Sequence, residues 1–240
     1  HSRGLAPSRE KAQAMILAGL VMSGDQRLTK AGVKYPVDID LAVKGKEHPY
    51  VSRGGLKLAA ALDHFSDIDL TRATAIDVGS STGGFTDVLL RAGAERVYAV
   101  DVGHGQLDWG LRNDDRVVVM EKTNARHLTE ELIPEVADIV VCDASFISLM
   151  KVLPASLERL RPGGVLAALI KPQFEVGKGQ VGKGGVVRDP ALHQAVQDTI
   201  RGWLADDLGW QVRGIVPSPI TGPAGNKDFI IVAVQPVQVP

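Results

Sequence analysis

The sequence predicts an α/β protein whose mostly parallel sheet carries helices on both faces and ends in an antiparallel hairpin. The first observation is a series of short apolar runs after Val51, separated by helical or irregular stretches, at 73–78, 96–101, 117–120, 138–142 and 164–170. The second is the end of the chain, where a predicted helix at 190–207 precedes two β-prone runs, "WQVRGIVPSPI" and "DFIIVAVQPV". Little sequence separates these two runs, which favours a closing hairpin.

The composition is ordinary for a globular protein, with 45% hydrophobic and 23% charged residues among 240. No apolar run approaches the roughly 18–20 residues of a membrane span, and no signal-peptide pattern opens the sequence. We therefore expect a cytoplasmic protein without stable membrane insertion. Cys142 is the single cysteine, which excludes an internal disulfide, and no Cys/His cluster has zinc-like spacing. We predict no metal site.

The amino-terminal segment is basic. Residues 1–46 hold eight Lys and Arg against four Asp and Glu, a formal charge of +4, which leaves −5 on the remainder of a chain of net charge −1. Such a basic end indicates contact with a polyanion, although solvated surface charge explains it equally well. Ser8 is the predicted N-cap of a helix that Gly19 ends, and a hairpin follows. We assign 1–46 to a small module, 47–52 to a linker and 53–240 to the main domain.

The stretch "AIDVGSSTGGFTDVLL" at 75–90 predicts a strand, a glycine-rich turn and a helix. This turn lies at the carboxyl edge of the sheet, where backbone free of side chains can approach a ligand. The next strand ends in Asp101, an acid suited to a ribose diol. Ser81 replaces a glycine of the dinucleotide fingerprint and Asp77 adds negative charge, so the pattern favours S-adenosylmethionine over NAD. A plain tight turn is the alternative interpretation.

Five motifs in the chain are recognisable together: "YVSRGGLKLAAAL", "AIDVGSSTGGFTDVLL", "VVCDASFISL", "LIKPQFEVGKGQVGKGGVVRDPALH" and "SPITGPAGNKDF". They resemble the TlyA (hemolysin A) family of FtsJ-like ribose 2′-O-methyltransferases, and "RGLAPSREKAQAMILAGLV" resembles the RNA-binding S4 module of that family. The resemblance implies a class I (Rossmann-like) methyltransferase fold, S-adenosylmethionine as donor, and ribosomal RNA in ribosomal subunits as partner, with a cytidine hydroxyl as acceptor. S4 modules usually have a helix before this one, so we expect an incomplete module whose helix lacks a packing partner.

The same resemblance places a Lys-Asp-Lys-Glu tetrad on Lys57, Asp143, Lys171 and Asp228, where Asp228 departs from the family glutamate. Asp143 and Lys171 each follow an apolar strand, so both can reach the cleft of the glycine turn. We predict Lys171 as the base that takes the proton of the ribose hydroxyl, oriented by Asp143. Lys57 and Asp228 would flank the hydroxyl, with Asp228 in direct or one-water reach of Lys57. A solvated helix lysine is the alternative for Lys57.

The remaining predictions concern ligand contacts. Cofactor contacts are expected from Asp77, Gly79, Ser80, Thr82, Gly83, Gly84, Phe85, Asp101, Asn124, Ala125 and Asp143. RNA contacts are expected from Arg3, Ser8, Arg9, Lys11, Lys30, Arg53, Lys178, Lys183 and Arg188. The loop "EVGKGQVGKGGVVR" is either an RNA-facing lid or an ordinary mobile loop, and core packing is favoured over base stacking for Phe146 and Phe174. Gly83→Arg is expected to fill the cofactor space and abolish binding without unfolding.

Two other function classes compete with methyl transfer. A membrane-active haemolysin, suggested by the older family name, is disfavoured because the sequence contains no apolar span. A non-catalytic RNA-binding protein on a methyltransferase fold is opposed by the intact Lys57, Asp143 and Lys171, while Asp228 leaves that alternative open.

Overall fold

The computed structural model describes residues 1–6, 8–43 and 48–237, with the side chain of Lys178 left out of the description. The chain forms two compact units, His1–Pro49 and Tyr50–Pro240. This division falls in the predicted linker 47–52, but residues 44–47, which include the predicted end of the first module, lie outside the described ranges. The two units are described separately below.

The first unit contains one helix and a small antiparallel sheet of order β2-β1-β3, with the bounds α1 Arg9–Leu17, β1 Val21–Ser23, β2 Gln26–Leu28 and β3 Ala42–Val43. Ser8 Oγ accepts a hydrogen bond from the Lys11 backbone N–H, as expected of an N-cap, and Gly19 ends the helix with φ +68°. Every residue of α1 is at least partly exposed. The predicted hairpin is confirmed as β1 and β2.

The second unit is built on a seven-stranded sheet of order β6-β5-β4-β7-β8-β10-β9. Its strands are β4 Thr74–Val78, β5 Arg96–Val100, β6 Val117–Met120, β7 Ala137–Cys142, β8 Leu160–Ile170, β9 Gln211–Pro217 and β10 Phe229–Val234. Its helices are α2 Gly55–His64, α3 Gly84–Arg91, α4 Trp109–Arg112, α5 Leu149–Val152, α6 Pro154–Leu157, α7 Pro172–Glu175 and α8 Pro190–Gly202, which continues as a π-helical turn over Trp203–Asp207. Short 3-10 turns lie at Ala125–His127 and Lys178–Gln180.

Strand direction agrees with the sequence prediction. The pairs β6-β5, β5-β4, β4-β7 and β7-β8 are parallel, whereas β10 pairs antiparallel with both β8 and β9. Consecutive residues of the central strands enter different apolar clusters, such as Ile76 on one face and Ala75 on the other. Both faces are therefore covered, which explains why these strands are continuous apolar runs without alternation.

This topology brings the carboxyl ends of β4, β5, β7 and β8 to one edge of the sheet. The strand order changes direction at β4, because β5 lies on one side of it and β7 on the other. Ligands of open α/β sheets bind at such a switch point. In the part of the chain that the structure describes, no helix is long and apolar enough to cross a membrane.

Candidate active site

The glycine turn between β4 and α3 is shaped by contacts that exclude larger residues. Gly79 has φ +80°, and a Cβ built on it would lie 2.9 Å from Ala144 Cα. The backbone N–H groups of Gly79 and Ser80 both donate to Val100 O, at 2.8 and 3.1 Å, which ties the turn to the end of β5. Only glycine combines this left-handed backbone with the close approach to the loop after β7.

Asp101 holds the other side of this turn. Its Oδ2 accepts the Ser81 backbone N–H at 2.8 Å, and its Oδ1 accepts the Gly103 backbone N–H at 2.7 Å. Each carboxylate oxygen keeps a second acceptor position, so both can still receive a ribose hydroxyl. A cavity of about 340 Å³, called the Asp101 cavity below, opens here and is lined by Asp101 together with Gly79, Asn124 and Ala125. These predicted cofactor residues therefore lie around one space.

A second group of predicted cofactor residues lines the adjoining cavity of about 380 Å³. Ser80, Thr82, Gly84 and Phe85 contribute to its wall, and Gly79 and Asp143 line both cavities. The two spaces therefore meet along the glycine turn and the loop after β7.

Asp77 differs from the direct contact expected of it. Its side chain is fully buried beneath the turn, and it does not line either of the two cavities that meet at the turn. Oδ2 accepts the Thr86 hydroxyl at 2.7 Å, which fixes the start of α3, while Oδ1 has no hydrogen-bond partner. Burial raises the pKa of this carboxyl to about 7. Asp77 therefore supports the turn from below.

The expectation for Gly83 is wrong in its geometry. Gly83 has φ +92°, and a Cβ there would contact Leu111 Cδ1 and lie 2.9 Å from Leu107 Cδ1. A Gly83→Arg side chain would therefore enter the apolar packing and leave the cofactor space open. Gly84 is also packed against protein, since its Cβ would lie 2.9 Å from the Gly55 backbone N. These two glycines let α3 approach its neighbours.

The four tetrad residues form one continuous chain of charges. Lys57 Nζ lies 2.9 Å from Asp228 Oδ2 and 3.8 Å from Asp143 Oδ2, and Lys171 Nζ lies 2.5 Å from Asp143 Oδ1. Lys57, Lys171 and Asp228 are 7%, 7% and 3% exposed. Two lysines and two aspartates sum to zero formal charge, which is how a buried cluster of this size avoids an uncompensated ion. The direct Lys57–Asp228 contact meets the expected reach without a bridging water.

Hydrogen bonding at Lys171 leaves acceptor positions open in the cluster. Nζ donates to Asp143 O and to Ser145 Oγ, both at 2.9 Å. Its short contact with Asp143 Oδ1 is an ion pair without hydrogen-bond alignment, because that oxygen has no hydrogen-bond partner among the described residues. Asp228 Oδ1 is buried, and it too has no hydrogen-bond partner among the described residues. A buried carboxylate oxygen without a hydrogen bond is destabilising, and the hydroxyl group of a bound substrate could donate that hydrogen bond.

A third cavity, of about 370 Å³ and called the aromatic-lined cavity below, borders the tetrad cluster. Lys57, Lys171 and Asp228 line it together with Phe146 and Phe174. The sequence favoured core packing for both aromatic residues, and this is wrong for Phe146. Phe146 is 89% exposed, has φ +65°, and lies 5.0 Å from the Phe174 ring, centroid to centroid. An exposed aromatic ring beside a cavity is available for stacking on a base.

The FtsJ-like methyltransferase model matches residues 50–234. The chain belongs to the FtsJ-like methyltransferase family. The family predicted from the motifs is thereby confirmed, and the described fold is its Rossmann-like methyltransferase fold.

Sequence relatives of this family member extend over nearly the whole chain. The 16S/23S rRNA (cytidine-2'-O)-methyltransferase TlyA of Mycobacterium tuberculosis (strain ATCC 25618 / H37Rv) is 48% identical over 231 residues, which cover 95% of this chain and 85% of the relative. Hemolysin A of Brachyspira hyodysenteriae is 40% identical over 231 residues, covering 96% and 95%. Among solved structures, a candidate hemolysin from Streptococcus thermophilus is 42% identical with a TM-score of 0.78, covering 100% of this chain and 86% of that one.

The residues predicted to contact RNA are distributed over both units of this FtsJ-like chain. In the first unit, Arg9, Lys11 and Lys30 are exposed, whereas Arg3 donates to the backbone oxygens of Val37 and Ile39. In the second unit, the Arg53 guanidinium donates to Thr221 O, and both residues line the cavity of about 380 Å³. Lys183 and Arg188 are exposed. The side chain of Lys178 lies outside the description. For all of these residues, and for the N-cap Ser8, contact with RNA stays a prediction.

The sequence interpretation missed residues that support the cluster. Ser145 accepts from Lys171 and lines all three cavities, and its place two residues after a strand-end acid was the available signal. Glu175 Oε1 accepts the Leu149 backbone N–H at 2.8 Å, which joins the loop after β7 to the helix that follows Lys171. Burial raises the pKa of Glu175. A glutamate after "KPQF" carries no sequence signal for this contact.

Proposed function

We propose that this protein transfers a methyl group from S-adenosylmethionine to a ribose 2′-hydroxyl of ribosomal RNA, with cytidine as the nucleoside. The observation that carries the proposal is the buried Lys57–Asp143–Lys171–Asp228 cluster, placed where the Asp101 cavity and the aromatic-lined cavity meet. The name of the relative that is 48% identical supports ribosomal RNA and cytidine as acceptor. A ribosomal acceptor agrees with a cytoplasmic location.

The Asp101 cavity fits the donor on three grounds. Both carboxylate oxygens of Asp101 can accept ribose hydroxyls, the backbone at Gly79 is free of a side chain, and the space lies beside the acids Asp101 and Asp143. When bound, S-adenosylmethionine supplies an electrophilic methyl group on a positively charged sulfur. Acidic walls favour that charge.

Lys171 is the proposed base. Lys171 is charged in the resting cluster and acts as a base only after it has lost one proton. Asp143 O and Ser145 Oγ are then placed to accept its two remaining N–H groups, which leaves the Nζ lone pair for the 2′-hydroxyl proton. Nζ would take the proton that the 2′-hydroxyl releases as its oxygen accepts the methyl group. The Asp143 carboxylate stabilises the ammonium that forms. Lys57 and Asp228, paired with each other, flank the hydroxyl from the acceptor side.

The first unit is the proposed RNA-binding module. Its basic character and the resemblance of its helix to an S4 module support this assignment. The test of the whole proposal is transfer of tritiated methyl groups from labelled S-adenosylmethionine to purified ribosomal subunits, followed by mapping of 2′-O-methylated nucleotides. We expect labelled cytidine in ribosomal RNA. Absence of label in both subunits would contradict the proposed function.

A further inference from the structure

The glycine-rich loop at 175–188 was predicted as a lid or a mobile loop, and its part over 182–187 is closed on itself and attached to the body of the second unit. The Gly182 backbone N–H donates to Val186 O at 3.1 Å, and the Gly185 N–H donates to Gly182 O at 3.1 Å. Val186 and Val187 are only 6% and 2% exposed. The end of this loop is therefore packed, which a freely mobile lid would not be.

Asn226 attaches the loop from one side. Its Oδ1 accepts the Val187 backbone N–H at 3.0 Å, and its Nδ2 donates to Gly185 O at 2.9 Å. Asn226 is 4% exposed and lies two residues before Asp228 in the turn that leads into β10. One side chain thus joins the loop to the segment that carries the fourth member of the tetrad.

His193 attaches the same residue from the other side. Its Nε2 lies 2.8 Å from Val187 O, so this nitrogen carries the proton that is donated. The His193 ring projects from α8 and packs 5.6 Å from the ring of Phe229, which follows Asp228. Both backbone polar groups of Val187 are therefore satisfied by side chains from two different elements.

The attached loop forms one wall of the aromatic-lined cavity. Gly184 and Gly185 line this cavity, have φ +77° and +76°, and would meet no other atom within 4 Å if they carried a Cβ. Lys57 and Asp228 line the same cavity. The width of the space in front of the tetrad therefore depends on where Asn226 and His193 hold the loop.

We propose that Asn226 and His193 are positioning residues that set one wall of the aromatic-lined cavity and so align the RNA nucleotide with Lys57 and Asp228. In this role the aromatic-lined cavity is the acceptor cavity. This inference rests on the proposed function, because it assigns that cavity to the RNA nucleotide. None of the loop, Asn226 or His193 lines the Asp101 cavity. Loss of the attachment should therefore impair use of RNA and leave S-adenosylmethionine binding unchanged.

The test compares Asn226→Ala with the wild-type chain in methyl transfer to ribosomal subunits, in calorimetric binding of S-adenosylmethionine, and in hydrogen exchange of backbone amides. We expect the KM for subunits to rise roughly tenfold or more, because one side chain that makes two buried hydrogen bonds is lost. We expect unchanged donor affinity and faster exchange at the Val187 amide. Asn226→Asp keeps an acceptor for Val187 N–H but loses the donor to Gly185 O, so its KM should lie between the two.

Asn113→Ala is the matched control, since this exposed asparagine also donates to a backbone oxygen, that of Trp109, away from the acceptor cavity. His193→Leu releases Val187 from the other side, and it tests the same inference if Asn226→Ala does not fold. An unchanged KM in a variant whose Val187 amide exchanges faster would overturn the inference. A Kd for S-adenosylmethionine and a KM for subunits that rise by equal factors would also overturn it, because they indicate a general structural defect. Wild-type protein that transfers no methyl group contradicts the proposed function instead, while the exchange experiment still reports on the attachment.

Discussion

Lys57 Nζ lies 2.9 Å from Asp228 Oδ2 across 171 residues of sequence, and the two side chains are 9% and 2% exposed. Asp228 is the residue at which this chain departs from the family tetrad, and the shorter carboxylate still makes direct contact. The departure therefore preserves the ion pair that closes the acceptor side of the cluster.

Asp228→Ala should abolish most turnover while S-adenosylmethionine affinity changes little. Among the described residues, the change leaves Lys57 with Asp143, 3.8 Å away, as its remaining ion-pair partner. Asp228 lines the acceptor cavity but not the Asp101 cavity. Removing one partner of a buried pair also costs about 3–5 kcal/mol, so urea unfolding must show that the variant is folded. The single-turnover rate constant should fall at least about 100-fold, and Asp228→Glu should retain activity. An alanine variant with wild-type turnover would reduce the tetrad to a triad.

The sequence pattern could place the four tetrad residues only in part. Asp143 and Lys171 follow buried strands, and a parallel sheet gathers strand ends at one edge, so the local pattern agreed with the placement that the family resemblance gave them. Lys57 lies on an amphipathic helix and Asp228 in a turn of an antiparallel hairpin, and only the family resemblance selected them. The exposed position of Phe146 was not predictable, because nothing in "CDASF" indicates a left-handed backbone at the phenylalanine. The attachment of Val187 by Asn226 and His193 depends on contacts between distant segments that leave no periodic trace.

Lys171→Arg should remove the base while keeping a positive charge beside Asp143. An arginine guanidinium stays protonated in proteins, so it cannot accept the hydroxyl proton. We expect single-turnover methyl transfer to fall roughly 100- to 10,000-fold, the usual contribution of general base catalysis. S-adenosylmethionine affinity, measured by calorimetry, should remain within about threefold of wild type, because arginine keeps the positive charge and Lys171 lines the adjoining cavity of about 380 Å³ but not the Asp101 cavity. Substantial activity in this variant would assign the base elsewhere.

Asp101→Asn should weaken S-adenosylmethionine binding. The amide has one oxygen where the carboxylate has two, so it cannot accept both the Ser81 and Gly103 N–H groups and both ribose hydroxyls. The calorimetric Kd should rise roughly tenfold or more. Asp114→Asn serves as the control, since this aspartate pairs with Arg116 outside the cofactor cavity and should leave the Kd unchanged. Equal Kd values for wild type and Asp101→Asn would remove Asp101 from the site.

Asp77 should make the stability of the second unit depend on pH. Burial raises its pKa from 3.8 to about 7 in the folded state, so between these values the folded chain holds a proton that the unfolded chain has released. The contribution of Asp77 to the free energy of unfolding is therefore largest below pH 4, decreases as pH rises, and levels off above pH 7. Asp77→Asn lacks this titration, so its stability relative to wild type should increase by roughly 3–4 kcal/mol between pH 4 and pH 8.

Urea unfolding followed by tryptophan fluorescence can measure this difference. Trp109, Trp203 and Trp210 all lie in the second unit, so the signal reports on the unit that contains Asp77. A pH-independent difference between Asp77→Asn and wild type would show that the carboxyl ionises alike in the folded and unfolded chains.

The antiparallel pairing of β10 with β8 has a consequence for the order of events during synthesis. Phe229 pairs with Ile170, so Asp228 and Lys171 become neighbours only when β10 inserts between β8 and β9. A nascent chain that has folded only as far as β7 already contains the glycine turn and Asp101, whereas the acceptor half is completed only by β10, the last strand to be synthesised. Such long-range pairings form slowly because their loop-closure entropy is lost before any contact compensates for it. A chain that ends before β10 therefore contains the donor-side residues Gly79 and Asp101 but lacks Asp228, the last member of the tetrad.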